Sequence, residues 1–155
     1  MNKRAFQHLV LGLGGIGSAA AYWLARQTGG DVLGLEQFAL GHIRGGSQDH
    51  SRIIRLSYHN PFYVNLAKEA YGAWAAVEAD SGEQLVYKTG GLVLSPAGSR
   101  LPLSDYTNSL NALGIPFEQL DAAEIMYRWP QWRLPEHVTG LYQTESGLVA
   151  AAKSN

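Results

Sequence analysis

Residues 6 to 36 read FQHLVLGLGGIGSAAAYWLARQTGGDVLGLE. No other stretch restricts the fold so tightly. Phe6 to Leu11 is a short apolar run, which predicts a buried strand. Gly12, Gly14 and Gly17 follow it at the spacing G-x-G-x-x-G. Ser18 to Gln27 then predicts a helix whose small residues let it lie close to a sheet. Thr28-Gly29-Gly30 closes that helix, because glycine takes the left-handed cap without a Cβ clash. Asp31 to Glu36 predicts a second strand ending in a carboxylate. Strand, helix and strand in this order give a β-α-β unit with parallel strands and a right-handed crossover. The expected class is therefore α/β, with a Rossmann-like nucleotide-binding unit at the front.

The spacing has a chemical reason. Gly12 makes the tight turn, Gly14 lets a pyrophosphate approach the backbone, and Gly17 lets helix and strand pack closely. The free N–H groups of the first helical turn, at Gly15, Ile16 and Gly17, then face the phosphates, aided by the helix dipole. Glu36 sits about 20 residues on, where an acid accepts hydrogen bonds from an adenosine ribose. FAD and NAD both use such a unit, so a flavoprotein and an NAD-dependent dehydrogenase both remain open.

Composition removes several other classes. The formal net charge is −1, with 12 Lys and Arg against 13 Asp and Glu. A nucleic-acid binder needs clustered, uncompensated cations, and none is expected here. There are no cysteines, which excludes disulfides, thiol catalysis and a cysteinyl link to a cofactor, and is compatible with a cytoplasmic location. Lys3 and Arg4 precede the apolar run Leu9 to Ala25 and superficially imitate a leader. The glycines in that run are spaced for a turn instead. No segment reaches the ~18 consecutive apolar residues needed to span a bilayer. The five histidines show no metal-ligand spacing.

Further along, Phe38 to Gln48 is a polar, glycine-rich connection, and His50 to Tyr58 is expected to form a short helix. Asn60-Pro61 marks the entry of a long helix, Phe62 to Asp80. Leu85 to Lys88, Gly91 to Leu94, Phe117 to Leu120 and Val138 to Gln143 predict strands. Ser104 to Leu113 predicts a helix, and Asp121 caps another that stops before Pro130. LVAAAKSN, at the end, reads as the opening of one more helix. Residues 1–80 are expected to carry the nucleotide-binding unit. Residues 81–155 are expected to carry part of a mixed-sheet substrate domain and the return toward the first. Glu118, Asp121 and Glu124 read as a solvated charged run.

The segment GGSQDHSRIIRLSY (45–58) is the second informative stretch. On a helix, Arg52, Arg55 and Tyr58 share one face, with Ile53 and Ile54 turned to the core. Two guanidiniums fixed on one side make a cationic site, one able to hold a carboxylate as a bidentate fork. Ser47 and His50 can add hydrogen bonds to a cofactor. Residue chemistry alone leaves this reading level with two arginines that merely pair with surface acids.

With these residues in view, the chain resembles the N-terminal part of the monomeric sarcosine oxidase and N-methyl-amino-acid oxidase family, within the D-amino-acid-oxidase-like flavoproteins. The resemblance rests on Gly12-x-Gly14-x-x-Gly17, Arg52-Ile53-Ile54-Arg55 after its Gly/Ser loop, and Tyr58. It continues through Lys88-Thr89-Gly90-Gly91-Leu92-Val93-Leu94, Arg128-Trp129-Pro130 and Glu145-Ser146-Gly147-Leu148-Val149. It implies FAD as cofactor, oxidation of the C–N bond of an amine or amino acid, and O2 as the oxidant. It places Arg55 on the substrate carboxylate, Arg52 beside the flavin and Tyr58 in the substrate pocket. Two features depart from the family. Gln48 stands where sarcosine oxidases carry a histidine, which leaves the particular amine substrate open. Family members are also much longer, so the chain reads as a truncated N-terminal portion, inactive alone. Without cysteine its FAD would be non-covalent. A non-catalytic fragment is the remaining alternative.

Overall fold

The computed structural model describes residues 5–154; Lys3 and Arg4 of the leader-like pattern lie outside them. The chain divides into two compact units. One runs to Arg52 and resumes at Ala150, and the other spans Ile53–Val149. The boundary expected near residue 80 therefore lies within the second unit. The reason is the long helix before it: its Val64 is fully buried in the core cluster with Leu56, Leu110, Ile115 and Leu141.

In the first unit, β1 (His8–Leu11) and β2 (Val32–Leu35) are parallel neighbours, with α1 (Gly15–Thr28) between them in the chain. Gly29 ends α1 at φ 64° and returns its N–H to the Ala25 carbonyl. Gly34 leaves room for the Leu13 side chain, which a Cβ at that position would meet at 2.8 Å. Strand alternation puts Leu9 and Leu11 on one face, and the register pairs Leu11 with Leu35. These three leucines are 62%, 79% and 47% exposed. The strand expected to be buried is thus covered on one side only. Helix α1 supplies that cover, and the described residues put no second layer on the leucine face.

The second unit holds α2 (Pro61–Ser81), β4 (Val86–Lys88), β5 (Gly91–Ser95), α3 (Leu103–Ala112), β6 (Glu118–Asp121), α4 (Ala122–Arg128), β7 (Thr139–Gln143) and β8 (Gly147–Val149). The short β3 (Arg52–Ile54) enters it. Two three-stranded sheets form, in the orders β3-β8-β4 and β5-β7-β6. Although only Thr89-Gly90 separates them, β4 and β5 go to different sheets. Asn60 caps α2 by accepting the Phe62 N–H at 2.9 Å, with Pro61 at the first position. Asp121 caps α4 by accepting the Glu124 N–H at 2.8 Å. Arg128 bridges Glu118 and Glu124 at 2.8 and 2.6 Å, so the acidic run serves the surface of this unit.

Two expected helices are corrected. Residues 52–54 form β3, beside β8, which lies more than ninety residues on. The β-branched pair suits a pleated surface, and alternation sends its members to opposite faces. Ile53 is 79% exposed and Ile54 is 8% exposed, so only Ile54 turns inward. At the far end, Gly147–Val149 is a strand, and the expected helix shrinks to a single 3-10 turn, Ala151–Lys153. The Ala151 N–H is held by the His50 carbonyl at 3.1 Å.

Close backbone approach explains one glycine here. A Cβ on Gly147 would lie 2.0 Å from the Tyr87 carbonyl oxygen of the paired strand. Gly147→Ala must push β8 away from β4 and is expected to cost about 2–3 kcal/mol. Thermal melting checks this; an unchanged midpoint would show that the two strands are free to separate. Among the described residues no helix is long and apolar enough to cross a membrane, and no cluster of His, Asp or Glu has metal-binding geometry.

Candidate dinucleotide site

The glycine turn does what its spacing demands. Gly12 takes φ 84° to leave β1, a left-handed conformation that glycine adopts without a Cβ clash. A Cβ on Gly17 would sit 1.8 Å from the Gly12 carbonyl oxygen, so α1 touches the turn backbone to backbone. A Cβ on Gly14 would stop 3.3 Å from the Ser47 hydroxyl. That hydroxyl accepts the Gly15 N–H at 2.8 Å. Ile16 and Gly17 keep their N–H groups in the first turn, beyond reach of the ordinary four-residue helical bond. Beside this turn lies a cleft of about 280 Å³ lined by Leu13, Gly14, Glu36, His42, Ser47 and Gln48, among others.

Glu36 stands on the cleft wall. Its carboxylate accepts the Leu13 N–H at 2.9 Å and the Phe38 N–H at 3.1 Å. These bonds, the one from Leu13 foremost, hold the carboxyl below its ordinary value of 4.5. A depressed pKa stabilises the fold above the unfolded value. That contribution is lost as pH falls through the lower folded value. Glu36→Gln is therefore expected to flatten the drop in melting temperature between about pH 5 and pH 3. A variant that loses stability in acid just as wild type does would assign the drop to other carboxylates.

Ser47 and Arg52 belong to one folded loop. The terminal nitrogens of Arg52 donate to the carbonyls of Ser51 at 2.8 Å, Gly46 at 2.7 Å and Gln48, and lie 3.7 Å from the Asp49 carboxylate. Arg52 is thus wrapped by its own loop rather than displayed on a helix. Asp49 adopts φ 104°, the one positive φ outside glycine among the described residues. Its carboxylate accepts the His50 N–H at 2.7 Å. His50 anchors the loop through its backbone, and the cleft lining stops at Gln48.

Arg55 and Tyr58 lie in the second unit. The Arg55 guanidinium sits 5.0 Å from the centre of the Tyr58 ring. Arg55 is half-buried, and among the described residues no acid pairs with it. The two arginines are therefore unlike: one is tied to Asp49 and its loop, the other is a cation with only an aromatic face. Tyr71, in the same unit, donates its hydroxyl to the Glu145 carbonyl at 2.5 Å. Burial first, and the Glu145 charge second, push it up to about 12, so it stays protonated at neutral pH.

Sequence reasoning missed Leu13 and His42. Leu13 contributes a backbone N–H, which carries no side-chain signal. His42 lies in a loop whose path no periodicity reveals.

A glycine turn packed against its strand, an acid at the end of β2 and an open cleft between them are the parts that a dinucleotide site requires. Residues 7–154 match the DAO family of FAD dependent oxidoreductases, and the chain belongs to that family. The flavin, not the nicotinamide, is therefore the family's cofactor. The chain is 39% identical over 142 residues to monomeric sarcosine oxidase of Streptomyces avermitilis, covering 91% of this chain and 36% of that protein. It is 35% identical to human peroxisomal sarcosine oxidase, covering 98% and 38%. It is 32% identical to N-methyl-L-tryptophan oxidase of Citrobacter koseri, covering 91% and 38%. The fold matches NikD, an amino acid oxidase of nikkomycin biosynthesis, with a TM-score of 0.82 at 23% identity over 98% of this chain and 40% of that one. It matches L-proline dehydrogenase from P. horikoshii with a TM-score of 0.75 at 19% identity, over 97% and 40%. The chain spans less than two fifths of the length of the curated relatives named here.

Proposed function

We propose that this chain carries the FAD-binding turn and the carboxylate-binding arginine of an enzyme that oxidises the C–N bond of an amine or amino acid. The observation that carries the reading is Arg55, a half-buried cation without an acid partner among the described residues, in a chain of the FAD family. A cation left in that state has room for an anionic ligand, and a guanidinium matches a carboxylate in two hydrogen bonds. Tyr58 gives it an aromatic wall.

The residues present fit FAD. Gly12, Gly14 and Gly17 keep the turn open, the N–H groups of Ile16 and Gly17 would hold the pyrophosphate beside the Gly15 N–H that Ser47 occupies, and Glu36 would hold the ribose. Ser47 lines the approach, and His50 fixes the loop that carries it. Arg52 keeps one N–H, on Nε, outside its loop contacts and would supply a fixed positive charge to the flavin. Bound FAD supplies a two-electron acceptor. The substrate loses two electrons and two protons across its C–N bond, water hydrolyses the imine, and O2 is the terminal oxidant. These 155 residues contain no cysteine to offer a covalent link, and the contacts proposed here are non-covalent. Relatives more than twice as long suggest that turnover needs the further part they possess, and a reducing cytoplasm suits a cysteine-free chain.

The test is to express the protein at the length its gene encodes, and the 155-residue chain beside it. Their absorbance spectra and turnover of N-methyl amino acids are then recorded. Retained flavin and amine-dependent O2 uptake in the longer form support the proposal. A nicotinamide spectrum, or flavin retained with no amine oxidised, overturns it.

A further inference from the structure

We propose that His42 is a cofactor-positioning residue: with Glu36 it forms a donor–acceptor pair for the adenosine ribose diol, selecting FAD over shorter flavins. This rests on the FAD reading and concerns the end of the cofactor far from the chemistry.

The geometry fixes the histidine closely. Its Nδ1 accepts the Arg44 N–H at 3.0 Å. In the neutral ring the hydrogen is then on Nε2. Nε2 lies 3.5 Å from Glu36 Oε1. The ring packs edge-on against Phe38, with centroids 4.9 Å apart and planes at 70°. The Arg44 guanidinium lies 4.8 Å from the Phe38 ring centre. Segment 38–44 thus folds back over the end of β2 and presents one imidazole N–H beside one carboxylate. Both side chains line the cleft, and both are mostly buried, 22% and 10% exposed.

Lone-pair arithmetic gives the pair its role. An ionised carboxylate offers about four acceptor sites. The backbone N–H groups of Leu13 and Phe38 take two of them, and that of Gln37 bears on a third. The His42 Nε2 stands 3.5 Å from the carboxylate, beyond the usual 2.9–3.0 Å for N–H···O, so its N–H remains open to another acceptor. A ribose diol presents two neighbouring hydroxyls. One can donate to the free site of Glu36 while the other accepts the His42 N–H. The two protein atoms are spaced for neighbouring oxygens. A lone acid would accept from both hydroxyls and need no donor; here the backbone N–H groups of Leu13, Phe38 and Gln37 already bear on three of its sites. FMN and riboflavin lack this diol.

The experiment uses the protein at its gene-encoded length, stripped of cofactor. FAD and FMN affinities are measured by flavin fluorescence for wild type, His42→Ala and His42→Gln. His42→Ala is expected to weaken FAD about 10- to 50-fold and to leave FMN within about 2-fold. His42→Gln, which keeps an amide N–H donor, is expected to recover most of the loss. Equal losses for FAD and FMN, unfolding of both variants, or unchanged FAD affinity would each overturn the assignment. A wild-type protein that binds no flavin at all removes the FAD reading itself, and this inference with it. That outcome is distinct from one in which FAD binds and His42 proves irrelevant.

Discussion

Gly17→Ala is expected to cost about 3 kcal/mol or more of stability and to weaken FAD binding at least about 100-fold. The new Cβ would stand 1.8 Å from the Gly12 carbonyl oxygen and 2.9 Å from its carbon. Both are backbone atoms, so no side chain can rotate away. Either α1 lifts off the turn or the turn opens. Each movement drags the Ile16 and Gly17 N–H groups from the place where phosphates need them. Gly14→Ala makes the informative control. Its Cβ meets only the Ser47 hydroxyl, at 3.3 Å, so it should melt close to wild type while still intruding on a pyrophosphate. Thermal melting and FAD titration of both variants check the pair. If Gly17→Ala melts like wild type and keeps FAD, the contact between turn and helix is not what shapes the site.

Arg55→Met is expected to separate stability from function. A half-buried cation with no acid beside it among the described residues pays desolvation without an ion pair in return, so its removal should leave the melting temperature level or slightly higher. Turnover should move the opposite way. Losing the partner of a buried carboxylate costs about 2–5 kcal/mol, which is about 30- to 4,000-fold in kcat/KM for a carboxylate-bearing amine. FAD affinity should stay within about 3-fold. An amine without a carboxylate supplies the second comparison, since its turnover should hardly respond. The kinetics of both substrates, with a FAD titration, decide the matter. Equal loss of FAD and substrate binding would move Arg55 from the substrate to the cofactor.

How much of this was legible in the sequence depends on how local the controlling contacts are. The β-α-β unit was legible because the glycine turn, the helix and its Gly29 cap each carry their own short-range reason. Asn60 and Asp121 were legible as caps for the same cause. Segment 50–58 was not. Arg52, Arg55 and Tyr58 fit a helical face by spacing, but the pairing partner that makes residues 52–54 a strand is β8, far along the chain. Nor does sequence spacing reveal that β4 and β5, two residues apart, enter different sheets. At the site, Glu36 and the three glycines carry side-chain or steric signals. Leu13 acts through its backbone and His42 through the path of a loop, and neither leaves a periodic trace. The apolar residues on both faces of β1 signalled burial on both sides, yet Leu9 and Leu11 stand open.

The loop wound around Arg52 also bears on the speed and heat of cofactor binding. Loops that order only around a ligand slow association and give a large entropy loss on binding. Here the carbonyls of Gly46, Gln48 and Ser51 are already gathered by one guanidinium, and Ser47 is already fixed at the start of α1. This part of the site is therefore pre-organised. Its share of cofactor capture should look like docking onto a rigid surface, with a small entropy change from the loop. Cutting the tie, as in Arg52→Met, should instead slow association and enlarge the entropic penalty.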